Sequence, residues 1–497
     1  MLDGGRVKPL AIHARETMKF ITGNSKPDGI DATEAYCMIS FMSIFPNNVS
    51  PLKTIVPVKH EDNRSYFKLT ADQEGIDVSQ LLPDLDKLEK TARGLESRDG
   101  MTPSIKDLKH ITAAARLYSE IKNGENWLIP TLSGIDSKIK PISLHEVTIE
   151  KTSPSDLIKK LWNADRDYRS KYGDKYLLEL FFENSHLVHW AFIISLIALM
   201  AVLSFRRLYH PILIISLITT LLLDAAIIIF RIIISGRAPM TNMYETVLGA
   251  GFISLIVAMV LTRLRSEKIF LIAGLTLNMI TLAMLLFANS MLDPRIKALT
   301  PVLRDNFWLA THVTSVTASY AVFALSWLIA NAYLIRSILS RSNPEIMRRA
   351  AILCYDCLKI GVVFLAVGII LGAVWADYSW GRFWGWDPKE TWSLITLFVY
   401  IGILHGRLNG WLKANRFLPA TAAAFISVLM TWFGVNYILA TGLHSYGFSE
   451  NGSLFLTLIF VFQIILLLIY GLVSRKDFQN RNHNAASTMI APKKGGA

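Results

Sequence analysis

Apolar residues are distributed unevenly along the chain. From about Leu187 to Val473 the sequence is a succession of apolar runs, each about 20 residues long, the length at which an α-helix crosses the hydrocarbon core of a bilayer. Residues 1–186 contain no such run. The pattern predicts an all-α polytopic membrane domain over 187–473, preceded by a separate domain at 1–186 and followed by a tail at 474–497.

Nine membrane spans are predicted from these runs. Their approximate bounds are 187–205, 211–234, 244–262, 269–288, 307–335, 359–376, 391–406, 418–440 and 453–473. Lys and Arg concentrate in alternate connections, starting with the one after the first span, and in the tail. Because such connections face the cytoplasm, we expect the tail to be cytoplasmic. Residues 1–186 and the loops 235–243, 289–306, 377–390 and 441–452 are then expected on the outer side.

The sequence of the N-terminal segment predicts a small α+β domain. Asp31 and Glu34 have capping-box spacing, and Thr102-Pro103 opens a helical stretch that Gly124 can end. Leu52–Val58 and Ser65–Leu69 are strand-like pieces. Because Met1 is followed by no signal peptide, either further membrane sequence upstream exports this domain or the orientation is reversed, and we favour the first.

Composition excludes several classes of protein. Hydrophobic residues make up 52% of the chain and charged residues 18%, which excludes a disordered or collagen-like chain. The net charge of +12 is explained by the basic connections, so we predict no nucleic-acid partner. Three cysteines cannot form a disulfide framework, and Cys354 and Cys357 are predicted to be a reduced, structural pair.

The most unusual stretch runs from Trp380 to Trp392. It contains Trp380, Trp384, Trp386 and Trp392, interrupted by glycines. An aromatic belt at the membrane interface explains one or two of these residues. A cluster with glycines also suits a platform for a planar ligand, because indoles offer rigid stacking faces. Asp387, Pro388 and Glu390 have the spacing of a helix start, so we predict a structural role for them.

Two histidines are predicted at the same depth as this cluster. His312 lies near the outer end of span five and His444 just beyond the outer end of span eight. Two imidazoles beside an aromatic wall are what a bis-histidine haem site requires. His405 lies at the inner end of span seven, so it cannot share an iron with His312 or His444; if a second haem site exists, its other ligand is expected on another polypeptide.

Charged residues in and near the spans have two interpretations. Asp224 and Arg231 lie on nearly one face of span two and are expected to face the bundle interior, paired with neighbouring spans. Arg237 and Arg304 lie in outer loops, where either can bind an anionic group such as a haem propionate. Interfacial arginines that snorkel towards water would give the same pattern.

The tryptophan segment, with Tyr400, His405 and Arg407, closely resembles the tryptophan-rich signature of haem-handling proteins. Residues 187–473 as a whole resemble the CcsA (ResC) family of system II cytochrome c biogenesis. The supporting motifs are Gly236–Pro239, Asn242–Glu245, Thr311–Val313 and Gly442–Phe448. The segment Asp3–Pro9 resembles, more weakly, the outward domain that precedes CcsA in fused CcsB–CcsA chains.

This resemblance implies a cytochrome c haem lyase (synthase) component in a bacterial inner membrane, with residues 1–186 and the tryptophan loop on the periplasmic side. His312 and His444 would be the axial ligands of the outer haem and the candidate catalytic residues. Trp380, Trp384 and Trp386 would form its platform, with Trp392 in the same segment. His405 would bind an inner haem together with a ligand from a CcsB (ResB) partner.

The implied substrate is haem b, attached to Cys-x-x-Cys-His motifs of apocytochrome c with the help of thiol-reducing proteins. Two other functions remain open on the residues alone. A haem exporter without ligase activity would carry the same site. A b-type bis-histidine electron-transfer cytochrome usually has its ligand pairs inside the spans, whereas here they lie at span ends.

Overall fold

The structure of the protein is a computed structural model. It describes residues 1–3, 6–42, 44–45, 52–100, 102–133, 138–148, 153–205, 207–208, 210–288, 291–297, 305–340, 343–439 and 452–490. Within it the chain divides into two compact units, Met1–Ser185 and His186–Ala497.

The N-terminal unit is mainly helical, with small antiparallel sheets between the helices. Its helices are α1 (Leu10–Thr22), α2 (Ala32–Met42), α3 (Glu61–Tyr66), α4 (Val78–Leu81), α5 (Leu85–Asp99), α6 (Pro103–Lys122), α7 (Leu144–Thr148), α8 (Pro154–Tyr172) and α9 (Lys175–Asn184). Its strands are β1 (Leu2–Asp3), β2 (Arg6–Val7), β3 (Ile55–Pro57), β4 (Gly75–Asp77), β5 (Leu128–Ser133) and β6 (Lys138–Ser143). They pair as β1–β2, β3–β4 and β5–β6.

The core of this unit lies where α1, α2 and α6 pack together. Met18, Tyr36 and Ile111 from these helices are fully buried, and the Tyr36 ring lies 5.6 Å from the Trp127 ring. Burial of these large apolar side chains is the main source of the unit's stability.

The predicted helix starts in this unit are confirmed. The Asp31 carboxylate accepts a hydrogen bond from the Thr33 backbone N at 2.9 Å, directly before α2. At α6 the Thr102 hydroxyl accepts from the Ile105 backbone N at 3.3 Å, followed by Pro103. Gly124, with φ +73°, follows the end of α6, a conformation that a glycine adopts without strain.

The predicted strand at Ser65–Leu69 is wrong. Ser65 and Tyr66 end α3, and Lys68 has φ +53°, outside the extended region that a strand requires. The Arg64 guanidinium donates to the carbonyl oxygens of Thr70 and Gln73, which holds the chain in this turn. The strand that pairs with Ile55–Pro57 is instead Gly75–Asp77.

The second unit confirms the predicted polytopic membrane fold. In the residues that the structure describes, nine helices are long and apolar enough to cross a membrane. They are α10 (Leu187–Ser204), α11 (Pro211–Ser235), α12 (Met243–Arg265), α13 (Lys268–Phe287), α14 (Asn306–Leu339), α15 (Pro344–Trp380), α16 (Pro388–Leu408), α17 (Ala414–Leu439) and α18 (Gly452–Ile490, with its apolar part at Gly452–Arg475).

Helix α14 is the central element of this unit. It packs against α12, α13, α15, α17 and α18. The Phe323 ring of α14 stacks on Tyr400 of α16, with 3.7 Å between the ring centroids. Gly361 of α15 faces the same Phe323 ring, which a β-carbon at this position would overlap. The absence of a side chain there lets α15 approach α14 closely.

The buried charges of α11 pair with neighbouring helices, as predicted. The Arg231 guanidinium forms an ion pair with Glu245 of α12 at 2.9 Å. The Asp224 carboxylate accepts a hydrogen bond from the Asn278 side chain of α13 at 2.7 Å. Asp224, Arg231 and Glu245 are at most 2% exposed, so the charges face the bundle interior. Cys354 and Cys357 of α15 are buried free thiols.

Candidate functional site

The membrane unit contains a cavity where the two ends of the tryptophan segment meet α12, α14 and α17. Its volume is about 1250 Å³, counted into the open space at its mouth. The lining is mostly apolar and aromatic, and includes Met240, Met243, Leu309, His312, Tyr320, Trp375, Trp380, Trp384, Lys389, Glu390, Trp432 and Asn436. An apolar cavity lining with a few polar groups is typical of a ligand site.

His312 is held in the cavity wall by its backbone and by a hydrogen bond. It lies in a π-helical turn, Leu309–Val313, at the start of α14; such turns are frequent at functional sites. The Nδ1 atom of His312 lies 2.7 Å from the carbonyl oxygen of Gly368 in α15. Because a carbonyl only accepts, Nδ1 carries the proton, and the lone pair of the neutral imidazole is on Nε2. A histidine in this arrangement can ligate a metal through Nε2.

A glycine makes room for this imidazole. A β-carbon at Gly372 of α15 would lie 2.5 Å from Cε1 of His312 and 2.9 Å from Nδ1. The Trp375 indole, one helical turn further along α15, lies edge-on to His312 at 5.7 Å between ring centroids. The position of the imidazole therefore depends on the packing of α15 against the π-helical turn.

The tryptophans of the segment occupy different environments. Trp380 and Trp384 line the cavity. Trp386 is 70% exposed, has φ +56° and lies edge-on to Trp384 at 6.0 Å, outside the lining. Trp392 is half-buried in α16, and its carbonyl oxygen accepts from the Thr431 hydroxyl at 3.1 Å.

The start of α16 confirms the predicted helix start, which forms a capping box. The Asp387 side chain accepts from the backbone at the third helical position, while Glu390 accepts from the Asp387 backbone N, and Pro388 is the first helical residue. The same turn also directs Lys389 and Glu390 into the cavity wall. The helix-start spacing predicted only a structural role for this turn, and its place beside the cavity was not predicted.

The remaining predicted site residues lie elsewhere or outside the described residues. Arg237 donates to the Lys297 carbonyl oxygen at 2.8 Å and is absent from the cavity lining. His405 is exposed at the end of α16, edge-on to Trp411 at 5.5 Å. His444 and Arg304 lie outside the described residues, so the predicted pairing of His312 with His444 stays a prediction.

Sequence reasoning missed a second π-helical segment that borders the cavity. Met430–Leu439 ends α17 in this conformation and contributes Trp432 and Asn436. The Trp432 indole donates to the Thr246 hydroxyl at 3.3 Å. The sequence signal that could have indicated this segment is the pair Trp432 and Asn436, which lie four residues apart on one helix face. The change from α-helix to π-helix is not visible in the pattern of apolar residues.

Comparison with known proteins relates the region that contains the cavity to one group. Residues 240–444 match the family described as Cytochrome C assembly protein. The chain is 32% identical over 261 residues to the cytochrome c biogenesis protein CcsA of Chlorella vulgaris, which covers 44% of this chain and 81% of the relative. It is 34% identical over 224 residues to CcsA of Chlamydomonas reinhardtii, covering 43% of this chain and 62% of the relative.

A further relative is much longer than the matched region. Protein NrfI of Wolinella succinogenes is 34% identical over 229 residues, which are 44% of this chain. The match spans only 24% of NrfI. In each comparison the matched part is less than half of this chain.

Proposed function

The chain belongs to the CcsA family of cytochrome c biogenesis proteins, and from that premise we propose that it is a component of a cytochrome c haem lyase. In this role it holds haem b at the outer face of the membrane and promotes its covalent attachment to the Cys-x-x-Cys-His motif of apocytochrome c. Haem is the substrate and cargo, and the cavity that His312 borders is its site.

One observation carries the proposal. The hydrogen bond from Nδ1 of His312 to the Gly368 carbonyl assigns the lone pair to Nε2 in a cavity that Trp380 and Trp384 also line. An oriented neutral imidazole beside indole faces suits an iron porphyrin, in which the iron takes an axial nitrogen and the macrocycle takes apolar contacts. The largely apolar lining fits the macrocycle as well.

The attachment chemistry needs no nucleophile from this chain. Each substrate thiol adds across a vinyl group: sulfur bonds to the carbon next to the ring, and the thiol hydrogen goes to the terminal carbon, which becomes a methyl group. Atoms and electrons balance without an oxidant. The contribution of the protein is to orient the vinyl groups towards the thiols and to exclude water and competing oxidation.

The other predicted ligands complete this proposal. His444 is proposed as the second axial ligand, while Trp386 and Trp392 extend the aromatic segment and Arg237 and Arg304 provide cations for haem carboxylates. His405 is proposed as a ligand of an inner haem, shared with a CcsB-like partner. Thiol-reducing proteins would keep the cysteines of the apocytochrome reduced.

The proposed location is the bacterial inner membrane. The basic connections support a cytoplasmic C-terminal tail by the positive-inside rule. Residues 1–186 and the loop that carries the tryptophan segment are then periplasmic. This places the cavity on the side of the membrane where the apocytochrome is proposed to arrive.

The proposal is tested by co-expression with a CcsB-like partner and an apocytochrome c reporter in a host without its own maturation genes. We expect covalent haem on the reporter from the wild-type chain and at least about a tenfold loss in His312→Ala. The control is His189→Ala, which removes an exposed histidine of α10. Haem bound to the chain with none on the reporter would favour an exporter or an electron-transfer cytochrome. Reporter maturation that is unchanged in His312→Ala would contradict the assignment of this ligand.

A further inference from the structure

Among the described residues, Lys389 is a cation in the cavity wall with no charged partner at ion-pair distance. Lys389 lies in the first turn of α16 and borders the cavity. Its Nζ donates to the Asn436 side-chain oxygen at 3.3 Å, and no ion pair within 4.0 Å involves it in the part of the chain that the structure describes. An ammonium group has three donors, and a neutral amide oxygen compensates little of its charge.

The two neighbouring carboxylates are engaged by the backbone. Asp387 accepts from the Lys389 backbone N at 2.9 Å. Glu390 accepts from the backbone N atoms of Gly385 at 2.8 Å and Asp387 at 3.2 Å. The two side chains thus accept from N–H groups at the start of the helix and, at Gly385, just before it, in an arrangement that the capping box fixes.

Burial makes the position of the Lys389 ammonium group costly, and the nearby Asp387 carboxylate offsets only part of this cost. The N-terminus of a helix carries a partial positive charge, which favours anions and disfavours cations. The surrounding lining is rich in aromatic and aliphatic side chains, which replace water around the ammonium group at a cost. An anionic group inside the cavity would offset both effects at once.

We propose that Lys389 binds a carboxylate of the cavity's ligand, namely a propionate of haem. The inference rests on the proposed function, because it takes haem as the occupant, and it adds a binding residue that fixes one edge of the macrocycle at the start of α16. The site then discriminates between tetrapyrroles that carry free carboxylates and those whose carboxylates are esterified. Asn436, on the π-helical end of α17, orients the ammonium group.

The experiment compares haem with its dimethyl ester on the full chain, purified with the CcsB-like partner. Binding is followed by absorbance, and the signal counted is the part that His312→Ala removes. A charge-assisted hydrogen bond to the propionate predicts about tenfold tighter binding of haem than of the ester by the wild type. Lys389→Met is expected to abolish this preference, because it weakens haem binding about tenfold and leaves binding of the ester unchanged.

Two further variants separate charge from structure. Lys389→Arg keeps the cation and is expected to keep the preference. Asn436→Asp gives Lys389 an internal carboxylate at the position of its present partner. We expect this variant to bind haem more weakly and the ester as tightly as the wild type does. Lys413→Met, which removes an exposed lysine before α17, is the matched control and should leave both affinities unchanged.

The outcomes distinguish the two proposals. Haem binding that depends on His312 but shows the full preference in Lys389→Met would overturn the inference and leave the proposed function intact. Absence of His312-dependent haem binding in the wild type would overturn both. If Lys389→Met does not fold, the inference is tested by Asn436→Asp alone. An unchanged preference for haem over the ester in that variant would overturn the inference.

Discussion

A single glycine sets how closely α15 approaches the candidate iron ligand. The space that a β-carbon of Gly372 would take is occupied by the His312 imidazole. Because Gly372 lies within a helix, replacing it with alanine raises helix propensity by about 1 kcal/mol. A loss of haem binding in Gly372→Ala would therefore come from displacement of the His312 imidazole and not from a weaker helix.

We predict that Gly372→Ala displaces the imidazole and weakens haem binding about tenfold, with thermal stability within a few degrees of the wild type. Absorbance spectra and thermal unfolding of the same sample measure the two effects. Gly402→Ala is the matched control, since no atom lies within 4 Å of its added β-carbon. Equal haem binding by Gly372→Ala and Gly402→Ala would contradict the tight packing around His312.

In the N-terminal unit, a carboxylate makes stability depend on pH. The hydrogen bond from His13, with that from Lys8, holds the pKa of Asp3 well below its usual range. A carboxylate whose pKa is lowered by folding contributes stability above its unfolded pKa of about 3.9. This contribution is lost as the pH falls below that value.

We therefore predict that hydrogen exchange of α1 accelerates, beyond its intrinsic pH dependence, when the pH is lowered from about 5 to 3. In Asp3→Asn the exchange should already be faster at about pH 5 and change less with pH. The exchange rate is measured by mass spectrometry of peptides from Leu10–Thr22. Identical pH profiles in the two proteins would show that Asp3 does not contribute.

At the scale of elements, the ion pair between Arg231 and Glu245 joins α11 to α12. Glu245 also accepts from the backbone N of Thr241 at 2.8 Å, and Arg231 donates to the Pro294 carbonyl at 3.1 Å. The pair thus connects two helices and the chain segment around Pro294. Removing one partner leaves the other charge buried and unpaired, which is far more costly than removing both.

We predict that Arg231→Met lowers the free energy of unfolding by about 3–5 kcal/mol, and that the double variant Arg231→Met/Glu245→Met recovers part of the loss. Unfolding in mixed micelles, followed by circular dichroism, measures both. Additive losses in the double variant would show that the two charges are not coupled.

The elements also show which local features the sequence encodes. Capping signals at Asp31, Thr102 and Asp387 predicted helix starts correctly, because a cap depends on a few adjacent residues. The strand predicted at Ser65–Leu69 was wrong because side-chain donation from Arg64 holds a turn there. The π-helical turn around His312 depends on packing against α15 and was not predicted.

At the scale of the whole molecule, apolar run length was enough to predict the membrane fold, because the bilayer sets the minimum apolar length of a helix that crosses it. The site was predicted less completely. His312, Trp380 and Trp384 were identified as candidates and border one cavity. The contact between His312 and Gly368, 56 residues apart, and the position of Lys389 beside Asn436 depend on helix packing that no local pattern specifies.

The proposed orientation is testable with reporter fusions to the full chain. We predict that green fluorescent protein after Arg475 is fluorescent, because the positive-inside rule predicts a cytoplasmic tail. Alkaline phosphatase inserted in the loop that follows α11, at Gly236, is expected to be active. A dark tail fusion with an inactive loop fusion would reverse the orientation and place the cavity on the cytoplasmic side.

The His312 imidazole is proposed to hold haem iron in the indole-lined cavity. The most direct measurement is the absorbance spectrum of haem bound to His312→Gly, purified with the CcsB-like partner, before and after addition of free imidazole. We predict that the low-spin spectrum of the wild type is lost in the variant and is restored by imidazole, which enters the space left by the side chain. A variant that keeps the wild-type spectrum without imidazole would contradict the account.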